Sequence, residues 1–251
     1  MASLYDRADI YDLLENEDRF QAYQRHWEQV LQGTEIQTVL DVSIGTGNVT
    51  LPLAALGKKL WGSDLSRAML EKCREKAGRR GYEVELRQGD FRELACWEGM
   101  QFDCVASTGN SLPYVENGQL LSALGRMDAL VKEGGYLYFD MRHWDRILRE
   151  RQRFYLYNPF FDGETRVNLV QAWDYNPDNT MTFNLLYTFE RENKIVGKEI
   201  FEEHYFPIER RLLLEKLAEL GYGEIRQFCF PAFLKQEAGN EEWFCVLAKK
   251  G

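Results

Sequence analysis

The chain has 251 residues, 45% hydrophobic and 28% charged, an ordinary globular balance that excludes collagen-like, mucin-like and disordered classes. With 31 basic against 40 acidic residues its net charge is −9, which argues against nonspecific binding to a nucleic-acid backbone. No apolar run reaches bilayer length, the acidic start lacks a signal peptide's blocks, and the five cysteines form no C-x-x-C pair, so a cytoplasmic protein without a metal site or membrane contact is expected.

Residues 1–37 read as an N-terminal helical cap, with Tyr11, Leu14, Phe20, Trp27, Val30 and Leu31 approximating an apolar stripe that Gly33 ends. Over 38–150, short apolar runs alternate with amphipathic stretches. TVLDVS reads as a strand, Gly45 and Gly47 turn the chain into a helix through VTLPLAAL, and KLWGSD is a second strand. LSRAMLEKCREKAG is a helix, VELRQ and FDCVAS are strands, NGQLLSALGRMDALVKEGG is a helix and YLYFDM a fifth strand. Such alternation predicts βαβ units and a parallel sheet. Residues 151–206 differ. RVNLVQAWDY, TMTFNLLYTFE and KIVGKEIFEEHYF, separated by NPDN and RENK, predict an antiparallel insertion after the fifth strand. A helix through IERRLLLEKLAELG and strands near EIRQFCF and EWFCVLAKK then close the sheet over 207–251. The expected fold is α/β: a doubly wound, mostly parallel, seven-stranded sheet carrying that insertion.

The glycine turn sits where such sheets bind ligands. It lacks the third glycine of a dinucleotide fingerprint and the Gly-Lys-Ser/Thr of a phosphate loop. The carboxylates discriminate further. Asp41 lies in the first strand just before the loop, Asp64 ends the second, and Asp90 comes after the third, so a pyrophosphate would be repelled. A ligand with a cationic part and hydroxyls suits them, and S-adenosylmethionine is such a ligand. The plainer alternative is that each Asp caps the helix after it. Three at successive strand ends beside a glycine loop make that the weaker reading.

With VLDVSIGTGN, SDLSRAML, QGDFREL, FDCVAS and LVKEGGYLYFD in this order, the chain resembles the class I S-adenosylmethionine-dependent methyltransferases, most clearly over 38–141. STGNSLPYV followed by FDMRHWDRIL is similar to the glycine and sarcosine N-methyltransferase branch. The resemblance implies the Rossmann-like fold of that family, S-adenosylmethionine as cofactor, S-adenosylhomocysteine as product and a small-molecule acceptor. It implies that Ser43 to Gly47, with Gly45, hold the methionyl part, that Asp64 accepts from the ribose hydroxyls, and that Asp90 and Phe91 meet adenine. Leu65 and Thr108 join these cofactor contacts, Tyr11 and Arg19 close over the cofactor, and Asp41 belongs to the same set. For the acceptor it implies Arg142 on a carboxylate, Asn110 as an orienting group and Tyr187 near the transferring methyl. Tyr114 stands where the glycine branch has a histidine, and Ser43-Ile44 where many members have Gly-Cys.

Plainer roles compete at single residues. Arg142 could pair with Asp145 on a surface, Tyr187 could be core, Asn110-Ser111 a polar turn, and His143 structural. The aromatic cluster Phe154, Tyr155, Tyr157, Phe160 and Phe161 reads as insertion core rather than a cage for a methylated ammonium. STGNSLPY is not the N/D-P-P-Y/F motif of methyltransferases that act on nucleic-acid bases. The expected activity is N-methylation of a small amino acid or amine carboxylate such as glycine or sarcosine, with no dedicated catalytic base assigned. Rival expectations are an oxygen, carbon or sulfur acceptor, and a non-catalytic module that binds the cofactor.

Overall fold

Helix formation near the N-terminus starts from a built cap: Asn16 Oδ1 accepts the N–H of Arg19 at 3.0 Å. The computed structural model describes residues 3–234 and 240–251. A 3₁₀ turn at Leu4–Asp6, the single-turn α1 (Ala8–Tyr11) and a second 3₁₀ turn at Asp12–Leu14 precede α2 (Glu17–Val30). The apolar face of α2 carries Tyr23, His26, Trp27 and Val30 into the interior, where Trp27 Nε1 donates to the Val49 carbonyl at 2.6 Å. The alternating part then runs β1 (Thr38–Asp41), α3 (Leu51–Ala55), β2 (Lys59–Asp64), α4 (Arg67–Arg79), β3 (Val84–Gln88), β4 (Phe102–Ser107), α5 (Asn117–Ala129) and β5 (Val131–Arg142).

β5 begins earlier than its sequence suggests. VKEGG was expected to finish the preceding helix, yet Val131 already pairs with Phe102, and pairing resumes only at Tyr136 with Cys104. Gly134, at φ 68°, and Gly135, packed against the Asp103 carbonyl, let the strand loop outward between these two points.

After β5 come α6 (Trp144–Glu150), the short β6 (Phe154–Leu156) and β7 (Phe160–Asp162), then β8 (Thr165–Tyr175), β9 (Met181–Arg191) and β10 (Lys194–Tyr205). α7 (Arg210–Glu219), β11 (Tyr222–Cys229) and β12 (Trp243–Lys250) complete the chain. One sheet has the order β3-β2-β1-β4-β5-β12-β11, with β1 to β5 parallel and β12 antiparallel between β5 and β11. The second, antiparallel sheet has the order β10-β9-β8-β6, with β7 also on β8. Its three long strands alternate strictly: Val167, Leu169, Gln171 and Trp173 are buried, as are Phe183, Leu185 and Tyr187, and Phe201, Glu203 and Tyr205. That face packs toward the carboxyl ends of β4 and β5, while Leu186, Ile195 and Ile200 on the other face are exposed. No helix among the described residues is long and apolar enough to cross a membrane.

Candidate functional site

Strand order reverses between β1 and β4, and the crevice this creates lies at their carboxyl ends. The loop after β1 turns through Gly45 and Gly47, at φ 55° and 80°. These two glycines serve different ends. The Gly45 N–H donates to Asp64 Oδ2 at 2.9 Å and ties the loop to the end of β2. A Cβ on Gly47 would lie 2.7 Å from Leu51 Cγ and 2.8 Å from Cys73 Sγ, so its bare backbone lets α3 and α4 pack.

Asp41 is wholly buried; it accepts the Ser43 N–H at 3.1 Å and the Thr108 hydroxyl at 2.6 Å. It lines neither large cavity. Its bonds make it a brace between the ends of β1 and β4, under the loop. Burial pushes its carboxyl up to about 6. Ser43 completes the brace, its hydroxyl 2.9 Å from that of Ser107, while Thr108 N–H donates to it at 3.1 Å.

Asp64 does not cap α4. Ser66 does, accepting the Met69 N–H at 3.3 Å, while Asp64 Oδ1 takes the Ser66 N–H at 2.8 Å. The Asp64 carboxylate therefore stands at the wall of a cavity of 460 Å³, shared with Ser43, Leu65, Asp90 and Phe91. Burial raises its pKa. Leu65 is 66% exposed, an apolar side chain presented over that cavity. Asp90 is engaged by Arg92, whose Nε donates to both its oxygens at 3.0 and 2.9 Å. Burial would raise its pKa, but the Arg92 bonds outweigh this and hold it below the usual range. Among the described residues, the first cavity thus carries two carboxylates without a cationic partner, Asp6 and Asp64, and its arginine is already paired with Asp90. That donor set fits a diol and a cation, and disfavours phosphate.

A second cavity of 490 Å³ adjoins it and is walled by Tyr11, Arg19, Asn110, Asp140, Arg142, Tyr157, Gln171 and Tyr187. Tyr5 and Tyr114 line both cavities, with their hydroxyls 3.0 Å apart. Between the two lies a narrow passage lined by Tyr11, Ser43, Gly45, Asp64 and Thr108. Arg19 sits at the mouth, donating to the Tyr23 hydroxyl at 2.9 Å and pairing with Glu15 at 3.1 Å.

Arg142 is 6% exposed. Its Nη2 donates to Gln171 Oε1 at 3.3 Å and to the Tyr157 hydroxyl at 3.5 Å, both marginal bonds. The guanidinium carbon lies 5.0 to 5.6 Å from the ring centres of Tyr155, Trp173, Phe183 and Trp243. Among the described residues no carboxylate pairs with it. Asp145 instead accepts the Arg210 N–H at 3.2 Å, so the surface pair does not form. Asn110, at φ 63°, uses Oδ1 to accept the Arg142 N–H at 3.0 Å and the Trp144 indole N–H at 3.2 Å. This bond joins the loop after β4 to the end of β5. His143 Nδ1 caps α6 by accepting the Arg146 N–H at 3.3 Å.

The aromatic cluster after β5 is core only in part, with Tyr155, Tyr157 and Phe160 packed against the hydrophobic interior. Phe154 and Phe161 are 56% and 68% exposed, whereas Tyr155 and Tyr157 line the second cavity. β6 is an edge strand of three residues, so alternation sends one ring outward and the next inward. Sequence reasoning also missed Tyr5, Asp140, Tyr157 and Gln171. Only Gln171 carried a signal, as a polar residue at an inward position of an alternating strand.

A model of the methyltransferase domain matches residues 39–135, the stretch that builds the crevice just described. The chain is therefore similar to S-adenosylmethionine-dependent methyltransferases. Among curated methyltransferases it is 36% identical over 138 residues to a putative methyltransferase of Geobacillus sp., covering 52% of this chain and 54% of that protein. The chain thus spans about half the length of that relative. It is 25% identical over 191 residues to the glycine/sarcosine N-methyltransferase of Aphanothece halophytica, covering 76% and 68%. With the ubiquinone biosynthesis O-methyltransferase of Nitrosococcus oceani it shares 26% over 186 residues, covering 73% and 74%. An S-adenosylmethionine-dependent methyltransferase structure from Clostridium acetobutylicum has the same fold, with a TM-score of 0.77 at 20% identity over 98% of both chains. The seven-stranded sheet with its antiparallel addition is therefore the fold of that S-adenosylmethionine-dependent methyltransferase.

Proposed function

We propose that this methyltransferase transfers a methyl group to the amine of a small carboxylate-bearing acceptor, of which glycine and sarcosine are the simplest. One observation carries the reading: the Arg142 guanidinium is buried in the wall of a cavity, ringed by aromatics and without a carboxylate among the described residues. A buried cation without a counter-ion is costly, and a ligand carboxylate would supply the missing charge through two parallel N–H···O bonds.

In this reading Asp64 takes the ribose hydroxyls, Leu65 and Phe91 flank adenine, and the narrow passage lined by Tyr11, Ser43 and Thr108 receives the methionyl part. Bound there, the cofactor supplies a sulfonium methyl and a neutral leaving group. The protein's own work is alignment. Arg142 fixes the acceptor carboxylate, the Asn110 bond to the Arg142 backbone holds both strand ends in register, and Tyr5, Tyr114 and Tyr187 exclude water. Orientation of this kind is worth roughly 7–11 kcal/mol in favourable intramolecular cases.

Steady-state kinetics with glycine, sarcosine and amines lacking a carboxylate test the reading. Arg142→Ala should lose about 2–5 kcal/mol in kcat/KM for the acceptor, with cofactor affinity little changed. Arg142→Lys, which keeps the charge but not the planar fork, should fall between. Equal turnover of wild type and Arg142→Ala on the best acceptor would overturn the carboxylate clamp. A hydroxyl acceptor is the second reading, favoured by the likeness to the ubiquinone biosynthesis O-methyltransferase. The same panel with phenols decides between them.

A further inference from the structure

Asp140 is 1% exposed and lies on β5 two residues before Arg142, so both side chains leave the same face of the strand. Both line the second cavity. Asp140 Oδ1 accepts the Gly109 N–H at 2.8 Å. Oδ2 is buried and, among the described residues, has no hydrogen-bond partner. A buried carboxyl oxygen in this state is normally completed by something, since leaving it unpaired is unfavourable. Arg142 leaves an anion-binding site open on the same face, so a single ligand that completes both groups carries a carboxylate and an ammonium.

We propose that Asp140 is a catalytic residue that receives the acceptor's ammonium on Oδ2 and takes its proton before methyl transfer. This rests on the amine-carboxylate reading above and names its missing base. One N–H bond of the ammonium breaks, the proton passes to Oδ2, and the freed nitrogen lone pair forms the N–CH₃ bond. The sulfur keeps the electron pair of the broken C–S bond. The neutral acid then returns its proton to solvent when the product leaves.

The surroundings match this task. Tyr138 shares the strand face, while Asp41 on β1, Tyr23 on α2 and Cys245 on β12 are the other titratable groups within electrostatic reach. Arg142, two residues along the same face, is a cation lining the same cavity. Burial pushes the Asp140 carboxyl up to about 8, the range in which a base both accepts and releases a proton near neutral pH. An arriving ammonium favours the carboxylate form and draws it back down.

The test compares S-adenosylhomocysteine with sinefungin, the analogue that carries an amine where the sulfonium methyl would be. Calorimetric titration of wild type and Asp140→Asn needs no acceptor, and the amide oxygen of Asn still accepts the Gly109 N–H. Asp140→Asn should weaken sinefungin at least tenfold while S-adenosylhomocysteine changes less than threefold. In wild type the preference for sinefungin should rise with pH and level off above about 8, as Asp140 gains its charge. Equal weakening of both ligands would place Asp140 against the cofactor's own amino acid group and overturn the proposal. No change, or a preference flat from pH 6 to 9, would leave Asp140 as an anchor for Gly109 and also overturn it. The wild-type pH series decides the matter even if the variant does not fold. With whichever acceptor wild type methylates, Asp140→Asn should lower kcat at least a hundredfold and remove the rising limb of the pH profile. If wild type instead prefers a hydroxyl acceptor, the amine reading fails while the sinefungin comparison still judges Asp140.

Discussion

The crevice between β1 and β4 and the inner face of the β8-β9-β10 sheet are built on opposite principles. In the crevice, short loops are held by backbone donors on carboxylates: Gly45 and Ser66 on Asp64, Ser43 on Asp41, Gly109 on Asp140. In the antiparallel sheet, stacked rings do the holding. Trp173 lies between Tyr155 and Phe183 at centroid distances of 5.6 and 4.6 Å, nearly parallel to both. The first region fixes its loops by directional bonds to main chain that few substitutions could supply. The second shapes a cavity by bulk, which many side chains can do. A shared cofactor and a varied acceptor call for that division.

The largest expected effect is in the ring stack. Trp173→Ala removes a side chain that is 3% exposed and should destabilise the protein by about 3–5 kcal/mol in denaturant unfolding. Cofactor affinity of the folded variant should stay within about twofold. A collapse of that affinity would break the comparison, because it would make the two regions one cooperative unit. The next effect is confined to the crevice. Asp64→Asn turns one acceptor into a donor facing the N–H of Gly45 or Ser66 and should weaken cofactor binding by about 1.5–3 kcal/mol. Unchanged affinity for S-adenosylmethionine by calorimetry would remove Asp64 from the ribose position. The smallest effect sharpens the comparison. Tyr187 is buried with no hydrogen bond to its hydroxyl among the described residues, so Tyr187→Phe should alter thermal stability by less than about 0.5 kcal/mol. Any loss in acceptor KM then reports a contact between that hydroxyl and the ligand.

The same difference governs how legible each region was in the sequence. Asp64 and Asp90 could be picked out because each parallel strand ends in a short turn whose residues stand at the crevice, whereas Leu65 and Phe91 came from the family resemblance. Direction was not legible. Nothing local distinguishes Asp41, which points under the loop, from Asp64, which borders the cavity. The ion pair of Asp90 with Arg92 needed the turn's actual geometry. In the antiparallel sheet even membership was hidden. Tyr157 and Gln171 reach Arg142 through pairings such as Tyr155 with Gln171 across β6 and β8, and such register leaves no trace in either segment alone. Tyr5 reaches the site only because Ser66 Oγ donates to its carbonyl at 2.8 Å and Leu4 N–H donates to Glu203 at 2.9 Å.

The strict alternation along β8, β9 and β10 has an evolutionary consequence. Every second position faces inward and its neighbours face away, so a single exchange at Leu169, Gln171, Leu185 or Tyr187 alters the second cavity without touching a loop, a glycine or a strand end of the parallel sheet. Under the proposed function, isolated point changes there would redirect acceptor choice while leaving the crevice between β1 and β4 intact.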